Sequence, residues 1–485
     1  MAKSKYPRPK ARRPKGFQDL LGTRIRAEAE LVARASAVYE SFGFEPLQTP
    51  VFEYADTLGK FLPDEDRPNT GVFALRDEDE QWLSLRYDLT APLARFVAEN
   101  YNDLPKPFRR YQAGSVFRNE KPGPGRFREF TQVDADTVGA GTAASDAEMV
   151  MLAAEVAKAA GLGAGEYAVR INNRKLLDGL LEAAGVGDDA ERRGRTLRAI
   201  DKLDRVGRAG VEALLGKGRE DESGDFTQGA GLNPKAIGSV LDFTELAGGA
   251  DRENVLSCLD ALVGGTARGA EGVAELRAMQ GILDATGYGA EVAFDTSVVR
   301  GLAYYTGLVF EVELLAELDD GRGAIGSIGG GGRYDDLVSR FRGQAVPATG
   351  FSFGVSRYLS ALERLDRLGE GAEPPVVVAV FDRALLPEYF RLAAELRAAG
   401  LRAEVFAGGG NVTKQLKYAD RRGAKVAVLL GEDELAAGTV TVKDLEAGAQ
   451  AAQGIDTREA WTAARPAQST VARAGLVAHI RRILD

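Results

Sequence analysis

Phe117-Arg-Asn-Glu-Lys-Pro-Gly-Pro-Gly-Arg-Phe-Arg-Glu-Phe-Thr-Gln-Val-Asp-Ala-Asp136 is the stretch on which the reading of this chain turns. Two strand-like apolar arms flank the Pro122-Gly-Pro-Gly125 turn, and Arg118, Arg126 and Arg128 surround that turn. A hairpin with a cationic loop is suited to gripping phosphate, because guanidinium groups match phosphate oxygens in geometry as well as charge. Taken by itself the hairpin also fits a solvated surface, since exposed arginines beside turns are common. The rest of the chain has to decide.

The pattern Phe-Arg-x-Glu followed by Gly-Arg-x-x-x-Phe-x-Gln resembles motif 2 of class II aminoacyl-tRNA synthetases. Val299-Arg-Gly-Leu-Ala-Tyr-Tyr-Thr-Gly307 and Gly329-Gly-Gly-Gly-Arg-Tyr-Asp335 resemble the two signature peptides of the histidyl-tRNA synthetase family. Four consecutive glycines alone mean only a tight turn or a close strand approach. Gly350-Phe-Ser-Phe-Gly-Val-Ser-Arg357 resembles motif 3, and Tyr358, Leu359, Leu362 and Leu365 continue it at helical spacing. Upstream, the periodicity of Leu31, Val32, Ala35, Val38 and Phe42 predicts a helix from Ile25 to Phe42 that stops at Gly43. A strand from Glu45 to Tyr54, interrupted by Pro50, is expected next, and this order resembles motif 1, the dimer interface of the class. Trp82 to Thr90 reads as a strand and Ala91 to Glu99 as a helix.

At 485 residues, 45% hydrophobic and 27% charged, the chain fits two or three globular domains. It has neither a membrane-length apolar run nor a secretory leader, so a cytoplasmic protein is expected. One cysteine, Cys258, and one histidine, His479, exclude an internal disulfide, a Cys/His metal site and a Ser-His or Cys-His catalytic pair. The chemistry is left to arginines, carboxylates, tyrosines and a hard cation. Net charge is −9, yet distribution matters more than the sum. Lys3, Lys5, Arg8, Lys10, Arg12, Arg13 and Lys15 form an acid-free arm, and Lys414, Lys417, Arg421, Arg422 and Lys425 form a second basic patch. Both are compatible with holding a nucleic acid at a few points, or with plain solvation.

The resemblance implies an α+β catalytic domain, an antiparallel sheet flanked by helices of the class II synthetase type. It carries a helical insertion and is followed by a C-terminal α/β anticodon-binding-type domain. The expected boundaries are a basic arm at 1–15, a core at 16–368 with its insertion at 165–289, the α/β domain at 376–450, and a mostly helical tail at 451–485. A break at Gly369-Glu-Gly-Ala-Glu-Pro-Pro375 precedes strand-helix alternation: Val376 to Phe381, Leu386 to Ala399, Arg402 to Phe406, Thr413 to Arg422 and Lys425 to Leu430. Such alternation predicts parallel pairing.

Activation brings an amino-acid carboxylate against the α-phosphate of ATP, so developing negative charge has to be absorbed. The resemblance implies that Arg118 holds the α-phosphate, that Arg126 meets the β,γ end, that Arg357 sits over the nucleotide and that Glu120 fixes the adenine or its loop. Mg²⁺ accompanies ATP. Arg300 of the first signature peptide is expected to supply charge at the chemical step, with Arg118, and to face the amino acid. Asp88, Thr90 and Gln132 suit the substrate ammonium, Asp136 an imidazole N–H, and Tyr305 and Tyr334 the ring; Tyr304 joins them or packs in the core. Tyr87-Asp88-Leu89 differs from the Pro-Glu-Gly usual in bacterial members and resembles the eukaryotic and archaeal variant. Ala303 stands where the family commonly has aspartate, which puts the local pocket geometry in question. Implied partners are L-histidine, tRNA(His) and a second copy of the chain in a homodimer. The competing readings are the regulatory subunit of ATP phosphoribosyltransferase, which usually lacks the anticodon-binding domain and the motif arginines, and an RNA-binding protein without activity.

Overall fold

The computed structural model describes residues 10–61, 71–123, 125–186, 189–200, 202–220, 226–246, 251–299, 304–316, 325–369, 373–452 and 467–484. Two compact units, Met1–Gly369 and Glu370–Asp485, divide the chain.

The first unit opens with helix α1 (Gly22–Ser41), which buries Leu31, Ala35 and Tyr39 at four-residue steps and is followed by Gly43 at φ +80°. Short strands β1 (Glu45–Pro46), β2 (Phe52–Tyr54), β3 (Ala74–Arg76) and β4 (Trp82–Leu85) follow, then helix α2 (Thr90–Glu99). The hairpin β5 (Phe108–Phe117) and β6 (Glu129–Val138) leads into α3 (Ala143–Ala159) and β7 (Tyr167–Asn173). A module of α4 (Arg174–Ala183), α5 (Ala190–Ile200), α6 (Leu203–Leu215), the hairpin β8 (Gly218–Glu220) and β9 (Phe226–Gln228), α7 (Pro234–Thr244), α8 (Arg252–Val263) and α9 (Ala267–Ala285) comes next. The chain returns through β10 (Val292–Phe294), β11 (Leu308–Leu314), β12 (Ser327–Arg333), α10 (Ser339–Arg342), β13 (Ala348–Phe353) and α11 (Val355–Arg364).

Eight strands form one sheet in the order β1-β5-β6-β13-β12-β11-β7-β10. The six central strands pair antiparallel, and the edge strands β1 and β10 pair parallel to their neighbours. Because side chains alternate along a strand, Val133, Ala135, Phe310, Phe351 and Phe353 fall on one face. They pack there with the apolar residues of α3, such as Val150 and Ala154, in a single core. β7, inside the stretch expected as the insertion, is an interior strand of this sheet, so the helical module starts at α4.

Two expectations fail locally. The strand expected from Glu45 to Tyr54 is two strands in different sheets, β1 beside β5 and β2 beside β4. Pro50 has no N–H to continue a ladder, and it lies where the chain leaves one sheet for the other. The strand expected to reach Thr90 ends at Leu85, after which Arg86 is buried with its guanidinium on the carbonyls of Ser115 and Thr49.

The second unit contains β14 (Val376–Val378), α12 (Leu386–Ala398), β15 (Ala403–Val405), α13 (Val412–Arg421), β16 (Val426–Leu429), α14 (Glu432–Ala436), β17 (Thr439–Asp444), α15 (Leu445–Ala452), β18 (Gln468–Ala472) and α16 (Leu476–Leu484). Its sheet runs β15-β14-β16-β17-β18. The first three strands pair parallel, as the alternation predicts, but β17 and β18 pair antiparallel. The expected helical tail therefore supplies a strand of this sheet, and α16 closes its core with Leu476 and Ile480. His479 shares a hydrogen bond with Ser469 at 2.7 Å, consistent with a structural role.

Candidate active site

Register builds the site on the other face of the eight-stranded sheet. Arg110, Gln112 and Gly114 of β5 stand opposite Asp136, Asp134 and Gln132 of β6. Asp134 and Asp136 in turn stand opposite Ser352 and Gly350 of β13. Directly paired residues share a face, so these side chains form one polar layer. Gly330 and Gly332 of β12 extend the row. A Cβ on Gly332 would lie 2.8 Å from the Tyr305 ring, and one on Gly331, which faces the core, 2.7 Å from the Phe310 ring. Backbone carbonyls lie closer still, Gly350 O at 2.0 Å from a Cβ on Gly331 and Leu308 O at 2.3 Å from one on Gly332, so the glycine run leaves room for both backbone and aromatic rings against β12.

A cleft of ≈ 440 Å³ opens over the polar layer, lined by Arg118, Glu120, Arg126, Gln132, Tyr305 and Arg357 among others. Six residues from separate segments of the chain thus line one cleft. Arg118 lies with its guanidinium 4.5 Å from the Tyr87 ring and 5.1 Å from the Phe130 ring. Its Nε is buried without a hydrogen bond among the described residues, an arrangement that favours an anionic ligand. Glu120 accepts a hydrogen bond from the Tyr87 hydroxyl at 3.0 Å. Arg357 sits in the first turn of α11, where its Nη2 donates to the Ile325 carbonyl at 2.6 Å. The Thr131 N–H donates to Ser356 Oγ at 2.9 Å, which ties this helix to β6.

Beside the cleft lies a buried cluster. Asp136 pairs with Arg110 at 2.7 Å, and both side chains are almost fully excluded from solvent. Asp136 also accepts from the Tyr334 hydroxyl. The Tyr304 ring is 5.6 Å from that of Tyr334 and meets Tyr305 edge-on at 5.2 Å. Burial raises the phenols of Tyr304 and Tyr334 well above their ordinary range, so both are neutral hydrogen-bonding groups. Burial also raises Asp136, while Arg110 and Tyr334 oppose the shift. Asp134 is pushed up to about 7, by burial first and by Asp136 second. Asp88 has one oxygen committed to the N–H groups of Thr90 and Ala91, at 3.1 and 2.8 Å, where α2 begins. Thr90 reaches the Tyr304 hydroxyl.

The structure therefore brings Arg118, Glu120, Arg126, Gln132, Tyr305 and Arg357 together in the cleft, with Asp136, Tyr304 and Tyr334 clustered against one another. Arg300 and Ala303 lie outside the described residues, as does Pro124 of the hairpin turn. Sequence reasoning missed Arg110, Asp134, Ser352 and the Tyr87 ring. The signal for Asp134 was present: the alternation Gln132-Val-Asp-Ala-Asp136 puts three polar side chains on one face of a strand.

A mixed sheet with one apolar and one polar face, an arginine-bearing hairpin and a helix delivering a further arginine defines a class II aminoacyl-tRNA synthetase catalytic domain. The profile described as histidyl-tRNA synthetase matches residues 16–358, and that of an anticodon binding domain matches residues 375–465. Histidine--tRNA ligase of Caulobacter vibrioides is 56% identical over 482 residues, covering 98% of this chain and 97% of the relative. The ligase of Rhizobium meliloti is 54% identical over 488 residues, covering 98% and 96%. Among solved structures, histidyl-tRNA synthetase from Nostoc sp. PCC 7120 superposes with a TM-score of 0.71 at 30% identity, covering 98% of this chain and 100% of that one. The chain belongs to the histidyl-tRNA synthetase family.

Proposed function

We propose that this protein is a histidine--tRNA ligase: it condenses L-histidine with ATP to histidyl-adenylate and pyrophosphate, then transfers the histidyl group to the 3′ end of tRNA(His). The observation that carries the reading is the junction of two sites on one sheet face. A cationic cleft with Arg118, Arg126 and Arg357 adjoins a buried polar cluster of Asp136, Tyr304 and Tyr334, and Gln132 and Tyr305 lie on the cleft wall. The first suits a triphosphate and the second an amino acid with a polar ring.

In this reading Arg118, held between two rings, takes the α-phosphate. Arg126 takes the β,γ end, Arg357 covers the nucleotide, and Glu120 fixes the adenine or its loop. Mg²⁺ enters with ATP as part of the substrate, a hard cation matched to phosphate oxygens. Arg300 provides charge at the carboxylate-phosphorus junction, where one donor is worth roughly 10² to 10³ in rate. The substrate ammonium meets Gln132, Thr90 and the oxygen of Asp88 not committed to α2. Asp136 accepts an imidazole N–H, with Tyr305, Tyr334 and Tyr304 around the ring. A pocket of fixed polar partners rejects analogues that leave those partners unpaired.

Phe52, Tyr54 and Leu75 are exposed, and their register with Leu85 and Leu83 of β4 puts them on one face of the small β2-β4-β3 sheet. An apolar patch of this kind supports the homodimer. No helix among the described residues is long and apolar enough to cross a membrane, which is in keeping with a cytoplasmic enzyme. The regulatory-subunit reading is the weaker one, because the chain matches an anticodon-binding domain and carries Arg118, Arg126 and Arg357 in its cleft.

The test is ATP-pyrophosphate exchange against a panel of amino acids, followed by charging of total tRNA. Exchange and charging with histidine alone are expected. A folded protein that exchanges with no amino acid would overturn the proposal in favour of the regulatory paralogue.

A further inference from the structure

Gln132 has an end that matters and a neighbour that decides which end it is. Its Nε2 donates to Ser352 Oγ at 2.8 Å, while its Oε1 is buried and accepts no hydrogen bond among the described residues. Both residues line the cleft. An amide turned this way presents an acceptor to the cavity, which fits a ligand carrying N–H donors; turned the other way it would present a donor and repel an ammonium. Geometry alone does not choose between them, because a serine hydroxyl can donate or accept.

The choice is made one residue deeper. Ser352 stands directly opposite Asp134 across the β13-β6 ladder, with its hydroxyl within hydrogen-bonding reach of that carboxylate. Asp134 is 2% exposed, and its Oδ1 has no hydrogen bond among the described residues. An ionised carboxylate accepts only. The Ser352 proton therefore goes to Asp134, the Ser352 lone pair faces Gln132, and the amide has to offer its NH₂ group to Ser352 and its carbonyl to the cleft. We propose that Asp134 is a positioning residue which, through Ser352, orients the Gln132 amide so that its oxygen receives the substrate ammonium. This rests on the ligase reading above.

Burial and the facing charge of Asp136 bring this carboxyl's titration to about 7, with Asp88 acting the same way and Arg110 and Ser352 opposing. Arg86, Tyr39 and Tyr305 are the other titratable groups that face it. Since its pKa is raised, the orienting carboxylate is fully present above that value and is lost as pH falls through it. Once protonated, Asp134 donates to Ser352, the hydroxyl proton turns to Gln132 and the amide is free to reverse.

The experiment is pyrophosphate exchange on the full-length wild type and on the D134N, S352A and S352T variants at pH 8, with KM measured separately for histidine and ATP. Loss of one oriented acceptor for a charged donor predicts about a tenfold rise in KM for histidine in D134N and S352A. KM for ATP stays unchanged, and S352T recovers most of the loss. Inhibition by histidinol, which keeps the ammonium, weakens in parallel, whereas inhibition by deaminohistidine, which lacks it, does not. On lowering the pH to 6, the wild-type KM for histidine rises by a larger factor than that of D134N. If D134N does not fold, S352A against S352T carries the same comparison. Wild-type exchange with an unmoved histidine KM in the variants overturns the inference alone, as does an equal change for histidine, ATP and deaminohistidine. Absence of wild-type exchange removes the ligase reading and this inference with it.

Discussion

Replacing Gly350 by alanine tests the proposed histidine pocket with a single methyl group. A Cβ at this position would lie 2.1 Å from Asp136 Oδ1, 2.8 Å from its Cγ and 3.1 Å from the Ala135 carbonyl oxygen. Carbon and oxygen approach to about 3.3 Å at closest in packed sheets, so the carboxylate has to retreat by roughly 1 Å. It has little freedom to do so, because Arg110 holds it at 2.7 Å and Tyr334 donates to it. Either those bonds distort together or β13 shifts away from β6. A displacement of about 1 Å in a substrate-positioning group costs on the order of 10² in rate, near 2.7 kcal/mol of transition-state stabilisation. The strain also lowers stability by about 1 to 3 kcal/mol, which leaves a domain of ordinary stability folded. In pyrophosphate exchange, kcat/KM for histidine should fall about a hundredfold while KM for ATP changes little, with circular dichroism and a thermal melt as controls. Wild-type kinetics for histidine in a folded Gly350→Ala protein would refute the reasoning, since a displaced Asp136 could not then be the group that receives the imidazole.

Four further outcomes are expected. Arg110→Met leaves Asp136 buried without its cation and should cost about 3 to 5 kcal/mol in denaturant unfolding; a loss under about 1 kcal/mol would mean that Asp136 is neutral in the wild type. Arg300→Ala should abolish exchange with the fold intact, and retained exchange would remove this arginine from the chemical step. Tyr54→Asp combined with Leu75→Asp should convert a dimer to a monomer in sedimentation, whereas an unaltered dimer would locate the interface away from the β2-β4-β3 face. Deleting residues 1–12 should weaken tRNA affinity and flatten its salt dependence without touching adenylate formation; equal tRNA affinity at every salt concentration would make the arm a mere tail.

How much of this was legible depended on the distance over which the information is stored. Helix α1 could be read directly, because its burial stripe of Leu31, Ala35 and Tyr39 repeats within a few residues and Gly43 follows its end. The β5-β6 hairpin was readable for the same reason, with its turn chemistry in the sequence. The antiparallel pairing of β17 is legible in the chain as well. Only nine residues, 430–438, separate it from β16, fewer than the dozen or so that a parallel crossover requires. β18 gave almost no signal: Gln468-Ser-Thr-Val-Ala472 is a mostly polar strand at a sheet edge, with no apolar alternation to mark it.

Arg110 shows where local reading stops. Nothing near it in the chain says that it faces Asp136; that follows from a register of ten residue pairs fixed by the length of the hairpin loop. Once the register is known, the electrostatics of the layer follow. Asp134 and Asp136 project from the same face of one strand, and each loses solvation on burial. A single guanidinium close to Asp136 favours ionisation there more directly than at Asp134, where the like charge of Asp136 counts against it. Burial raises both carboxyls, Asp134 to about 7, and Arg110 opposes the shift at each of them. A change at Arg110 must consequently propagate to both carboxyls. In Arg110→Met the cause that depresses both carboxyls disappears, so histidine recognition through Asp136 and the orientation of Gln132 through Asp134 should fail together. Measured with D134N as the second arm of a double-mutant cycle on histidine KM, the two changes should be strongly non-additive. Simple additivity would mean that the two carboxyls act on the substrate independently.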